Sequence, residues 1–152
     1  MAGKFIGVLL LVLTIAGCVG YHKELDDNPP YSAHHFRYYD LEINWRTERQ
    51  GNGALLLTGT VNDLLSDYLW DVELTARLVD RYDKVLARQT YSDFPTYLAP
   101  GKPEPFRMEF RPAPGTHPDR IHFSYYYWRV EAPPHFRGDK NAPSFGGFES
   151  PP

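Results

Sequence analysis

The chain has 152 residues, a formal net charge of −3 and a single cysteine. The mildly acidic balance argues against a nucleic-acid binder, which carries a basic face, and one cysteine excludes an internal disulfide. Fourteen prolines and an aromatic share of 15% favour strands and loops over helices, and the length suits one domain.

The N-terminus, Met1-Ala2-Gly3-Lys4, carries one positive charge, and an uncharged run follows over residues 5–17. At about 1.5 Å rise per residue, that run is too short for a hydrocarbon core of about 30 Å. Residues 1–17 therefore read as a cleaved export signal rather than a span. The run ends in Ile15-Ala16-Gly17-Cys18, which resembles the lipobox of bacterial lipoproteins: a branched apolar residue and two small residues before cysteine. The resemblance implies cleavage between Gly17 and Cys18, a diacylglyceryl group on the Cys18 thiol, and a further acyl chain on the new amino terminus. Each buried methylene adds about 0.8 kcal/mol, and two or more chains anchor a protein stably. The alternative, a secretory signal with an incidental cysteine, leaves a lone thiol in an exported protein without a use. Val19 follows the cysteine; by the sorting rule of enteric bacteria it favours the periplasmic face of the outer membrane.

Residues 18–35 read as a tether, polar and broken at Pro29-Pro30. Strand patterns begin beyond it. Leu41, Ile43 and Trp45 alternate with Glu42, Asn44 and Arg46, a period of two. Gln50-Gly51-Asn52-Gly53 reads as a hairpin turn, and Leu55, Leu57, Gly59 and Val61 as the return strand. Trp70, Val72, Leu74, Ala76 and Leu78 form the clearest apolar alternation, against Asp71, Glu73, Thr75, Arg77 and Val79. Phe106, Met108 and Phe110 share one face of a later strand, and a last strand pattern runs over residues 121–132. Residues 36–132 thus predict an all-β domain, an immunoglobulin-like antiparallel β-sandwich of about seven strands. Residues 133–152, Pro-Gly-Ser-rich with Phe136, Phe145 and Phe148 scattered through them, read as a flexible, mostly disordered tail.

Four pieces of this domain carry a resemblance: Gly59-Thr60-Val61, Trp70-Asp71-Val72-Glu73-Leu74, Arg77-Leu78-Val79-Asp80, and Leu98-Ala99-Pro100-Gly101 before Pro105-Phe106. Together they resemble the FxLYD-type bacterial immunoglobulin-like domains over residues 55–112. The chain departs from that pattern at Asp63, where the family often has asparagine, and at Asp83, where it often has glycine. The resemblance implies a cell-envelope module with no chemistry of its own.

The residues offer little chemistry. Six histidines, at 22, 34, 35, 117, 122 and 135, form no H-E-x-x-H pattern and read as solvated loop residues. Asp63 and Asp67 precede the 70–80 strand and Asp80 and Asp83 follow it, so the two pairs read as turn residues at opposite ends of one strand. No G-x-S-x-G elbow or phosphate loop is present. The expectation is a non-enzyme with no metal and no cofactor. The informative stretch is His122-Phe123-Ser124-Tyr125-Tyr126-Tyr127-Trp128-Arg129. With Ile121, Phe123, Tyr125 and Tyr127 facing the core, Tyr126 and Trp128 face outward as a candidate binding surface; the alternative is that the tail or residues 36–39 cover that face. The leading expectation is a module held at the membrane by its lipid, docking onto an envelope protein. The second is a carbohydrate or peptidoglycan binder that stacks sugars on Tyr126 and Trp128.

Overall fold

The structure, a computed structural model, describes residues 34–131 and 143–152. Among them nine strands follow in chain order: β1 (His34–Arg37), β2 (Leu41–Arg49), β3 (Leu55–Asp63), β4 (Tyr68–Val79), β5 (Val85–Tyr91), β6 (Tyr97–Leu98), β7 (Glu104–Phe110), β8 (Arg120–Val130) and β9 (Pro143–Ser150). No helix occurs among the described residues. One sheet has the order β1-β2-β3-β7; the other has β5-β4-β8-β9, with the short β6 also on β4. Every pairing between these strands is antiparallel. The runs β2-β3-β7 and β5-β4-β8-β9 reproduce the A-B-E and C′-C-F-G orders of an immunoglobulin-like sandwich.

The period-two pattern sets which side chains meet between the sheets. Leu41, Ile43 and Trp45 of β2 are buried, as are Leu57 and Val61 of β3, Phe106, Met108 and Phe110 of β7, and Ile121, Phe123, Tyr125 and Tyr127 of β8. Each large apolar side chain so buried contributes about 1.5–3 kcal/mol. The 50–53 turn forms as expected, with the Gly53 amide donating to the Gln50 carbonyl at 2.9 Å.

Three expectations change. Trp70 does not share a face with Val72 and Leu74. The β4–β8 register slips between Trp70 and Glu73, so Trp70 pairs with Trp128 while Glu73 pairs with Tyr126. Asp71 sits in the extra position with φ of 56°, the left-handed conformation that aspartate tolerates better than most residues. The slip reverses the face of every residue before it. Leu69, fully buried, takes the inward place and Trp70 turns out.

The second change is at the C-terminus. Residues 143–150, assigned to the disordered tail by their composition, are β9, paired with β8 from Ile121↔Ser150 to Trp128↔Pro143. Composition misleads here because a glycine performs a packing task. A Cβ at Gly146 would lie 2.4 Å from the Tyr125 hydroxyl oxygen and 2.6 Å from Cζ, so the Tyr125 ring occupies the place where a side chain would stand. Phe148, two residues on, stacks on Phe36 at 3.9 Å between centroids and on Phe123 at 4.7 Å. The third change is that the domain starts earlier than residue 36: His34 and His35, placed in the tether, open β1 and pair with Trp45 and Asn44.

Candidate functional site

The two outer sheet faces differ in chemistry. Register places Glu42 beside Asn62, Asn44 beside Thr60 and Pro105, and Arg46 beside Thr58 and Arg107 on the outside of the β1-β2-β3-β7 sheet. That face is mostly polar, with Leu56 between Glu48 and Glu109 its aliphatic exception. The outside of the other sheet is divided. Its half towards the start of β8 carries Arg88, Arg77, His122 and Glu149 in one row and Thr90, Thr75, Ser124 and Gly147 in the next. Its other half carries Glu73, Tyr126 and Phe145 in one row and Tyr97, Trp70, Trp128 and Pro143 in the next. Five aromatic rings and a proline thus share a patch roughly 15 Å wide, from strand spacings of about 4.8 Å.

Tyr126 and Trp128 face away from the core, as β8 alternation requires, and both are half-buried. The strand formed by the tail lies beside β8 and not across it, and Phe36 packs inside the sandwich against Tyr125 and Phe148. Phe145 is 80% exposed. Trp70 and Trp128 are 6.3 Å apart with planes at 48°, and Tyr126 meets Trp128 edge-on at 88°. The rings therefore stand at angles and do not form one flat platform. Sequence reasoning found two of the five. Trp70 escaped through the bulge at Asp71, Phe145 through the composition of the tail, and Tyr97 because a two-residue strand has no period.

At the polar half, Arg120 bonds both Asp83 and Glu149, and His122 Nε2 lies beside Glu149 Oε1. Burial alone would raise the Glu149 carboxyl. Hydrogen bonds and charge from His122 and Arg120 outweigh it and hold the group below the ordinary glutamate value. These are exposed pairs of modest worth.

A second polar cluster lies at the opposite end of the sandwich, where β2 begins and β3 and β8 end. The Tyr127 hydroxyl, buried among the core residues, donates to Asp40 Oδ2. Asp63 is fully buried, its Oδ1 accepts the Leu65 amide at 3.0 Å, and its Oδ2 has no partner. Asp67 pairs with Arg129 at 2.7 Å. Asp63 is thus a core residue that also makes a turn, whereas Asp80 is the turn residue expected, accepting the Tyr82 and Lys84 amides. Burial pushes the Asp63 carboxyl up to about 6; the Leu65 amide and Arg129 oppose this, and Asp40 and Asp67 add to it. The folded state therefore holds this proton more tightly than the unfolded chain, whose value is near 3.8. The contribution of Asp63 to stability therefore rises as pH falls from 7 through 6 towards 4. Asp63→Asn keeps an acceptor for Leu65 and is expected to flatten that rise in chemical denaturation at pH 7 and pH 5; an unchanged slope would assign it to other groups.

The remaining expected residues are scattered. Gly17, Cys18 and the signal cleavage bond lie outside the described residues, as do His22 and His135. His34 stacks on Trp45 at 5.5 Å, and buried His35 bonds Glu42 at 3.1 Å, so both belong to a strand and not to a solvated loop. No three of the described His, Asp and Glu residues are grouped to hold a metal ion, and none of the described residues forms a helix long and apolar enough to cross a membrane. No family model and no curated protein matches the chain.

Proposed function

We propose that this chain is a lipid-anchored protein of a bacterial cell envelope, held at the periplasmic face of the outer membrane through Cys18, and that it is a non-catalytic docking module. The observation that carries the reading is the aromatic half-face of the β5-β4-β8-β9 sheet, with Tyr126 beside Phe145 and Trp128 beside Pro143. Aromatic residues with large area and few rotatable bonds are the usual anchors of protein interfaces. Ile15-Ala16-Gly17-Cys18 supports the anchor, and the likeness to FxLYD-type domains supports an envelope module. Steep ring angles suit side chains of a protein partner entering between the rings. A flat, crystalline polysaccharide would call for coplanar rings, which these are not.

The test is an in-cell cross-linking pull-down of the full chain, with Cys18→Ser as the unanchored control. One envelope protein is expected with the wild type, and its yield falls at least tenfold with Tyr126→Ala/Phe145→Ala. That double variant should melt within a few degrees of wild type, because neither side chain enters the core. Undiminished recovery would remove the aromatic half-face from the docking role, and retention of the chain on peptidoglycan with tryptophan fluorescence quenched by glycans would transfer the assignment to the carbohydrate reading.

A further inference from the structure

At the end of the sandwich formed by the β2–β3 and β7–β8 connections lies a cleft of about 410 Å³, independent of the aromatic face. Its lining includes Arg49, Asn52, Arg111, Thr116 and His117 and no acidic side chain, in a chain whose net charge is −3. Like-signed groups collected in one concavity of an oppositely charged protein focus the field there.

The walls are fixed before any ligand arrives. On one side the Gln50 amide donates to the Ala54 carbonyl, the Gly53 amide to Gln50, and the Ala54 amide to Asn52 Oδ1. On the other side both the amide and the hydroxyl of Thr116 donate to the Ala113 carbonyl, and Pro112 and Pro114 restrict the same loop. These bonds use the turn carbonyls internally and leave the Asn52 amide nitrogen as a donor. Arg49 ends β2 in register with Leu55, which in turn pairs with Phe110, so Arg111 follows two strands across, one residue beyond that level. Arg111 gives Nε and Nη2 to the half-buried Glu109, and a guanidinium retains further N–H donors beyond those two.

We propose that this cleft binds a phosphate group. Arg49, Arg111, His117 and Asn52 all line it. Guanidinium forks match the oxygens of a phosphate bidentately, and a phosphate offers enough oxygens for all four side chains where a carboxylate offers two. A preformed site avoids the ordering cost of a flexible one. Two sources carry this chemistry in an envelope, a soluble phosphate ester and the phosphate of a lipid headgroup.

The experiment titrates the full chain in nonionic detergent with inorganic phosphate at constant ionic strength, followed by amide NMR. The Gly53, Gly115 and His117 signals are expected to shift saturably, and Arg49→Gln/Arg111→Gln to weaken the apparent affinity at least tenfold. Flotation of the Cys18→Ser chain, which lacks the lipid anchor, with phosphatidylglycerol and with phosphatidylcholine vesicles separates the sources. Selective loss of phosphatidylglycerol flotation in the double arginine variant assigns the site to a headgroup, and equal flotation of both chains assigns it to a soluble phosphate. A shift that never saturates, or that survives in the double arginine variant, would overturn the proposal.

Discussion

Phe148→Ala is expected to cost about 3–4 kcal/mol, the usual loss for truncating a large aromatic in a packed cluster. In a domain of this size that is a fall in melting temperature of about 12–25 °C. The ring stacks on Phe36 and Phe123 and leans on Trp45 at 5.2 Å. It thereby joins β1, at the edge of one sheet, to β9, at the edge of the other, where no backbone ladder links the two sheets. Deleting residues 143–152 removes the ring together with the whole β8–β9 ladder. The β8 edge left behind is long and aromatic, the kind that pairs with other chains, so the truncated protein is expected to aggregate. Circular dichroism melts of the point variant and solubility of the truncation check this pair. A Phe148→Ala variant melting within a few degrees of wild type would show that the C-terminal strand is an ornament on a core complete without it.

Gly59→Ala is expected to be the most damaging single-methyl change in the domain. A Cβ at this position would stand 2.1 Å from the Asn44 carbonyl oxygen and 2.7 Å from Cζ of Phe106. The Phe106 ring has room to swing only by leaving the core, where it is 3% exposed. The carbonyl belongs to the backbone of β2, so relief requires the β2–β3 ladder to part at the centre of its nine-residue register. Overpacking that moves backbone costs about 1–3 kcal/mol and at times more; loss of soluble expression, or a destabilisation of about 3 kcal/mol in urea, is the expected result. Gly51→Ala is the matched control, since nothing lies within 4 Å of a Cβ there, and it should stay within about 0.5 kcal/mol of wild type.

Gly59 and Phe148 show how differently the fold was legible. Wherever apolar and polar residues alternate without interruption, as in β2, β7 and β8, the period alone marks the strand and its inner face. Gly59 was visible as part of a strand, but the contact that demands glycine lies across the ladder, on Asn44 and Phe106, and no local pattern reports it. Phe148 was invisible because β9 is stabilised by what it meets. The sequence Ser-Phe-Gly-Gly-Phe-Glu has weak strand propensity, and its glycines make sense only against what they meet, Gly146 under the Tyr125 ring and Gly147 beside the Phe123 carbonyl. Trp70 was misplaced for a third reason. A bulge inserts one residue and inverts the faces before it, so a pattern that looks continuous through Asp71 is two patterns in opposite phase. The same inversion brings Trp70 onto the aromatic half-face beside Trp128.

The docking claim is tested most directly by photo-cross-linking in living cells, with the reactive side chain placed at Phe145 on the aromatic half-face and, separately, at Arg46 on the polar face of the other sheet. Both positions are exposed, so encounter frequency alone does not favour either. A discrete adduct with one envelope protein from position 145, absent from position 46 and lost when Cys18 is replaced by serine, is the expected result. Equal adducts from both positions, or none from position 145 while the chain remains anchored, would contradict a docking role for that face.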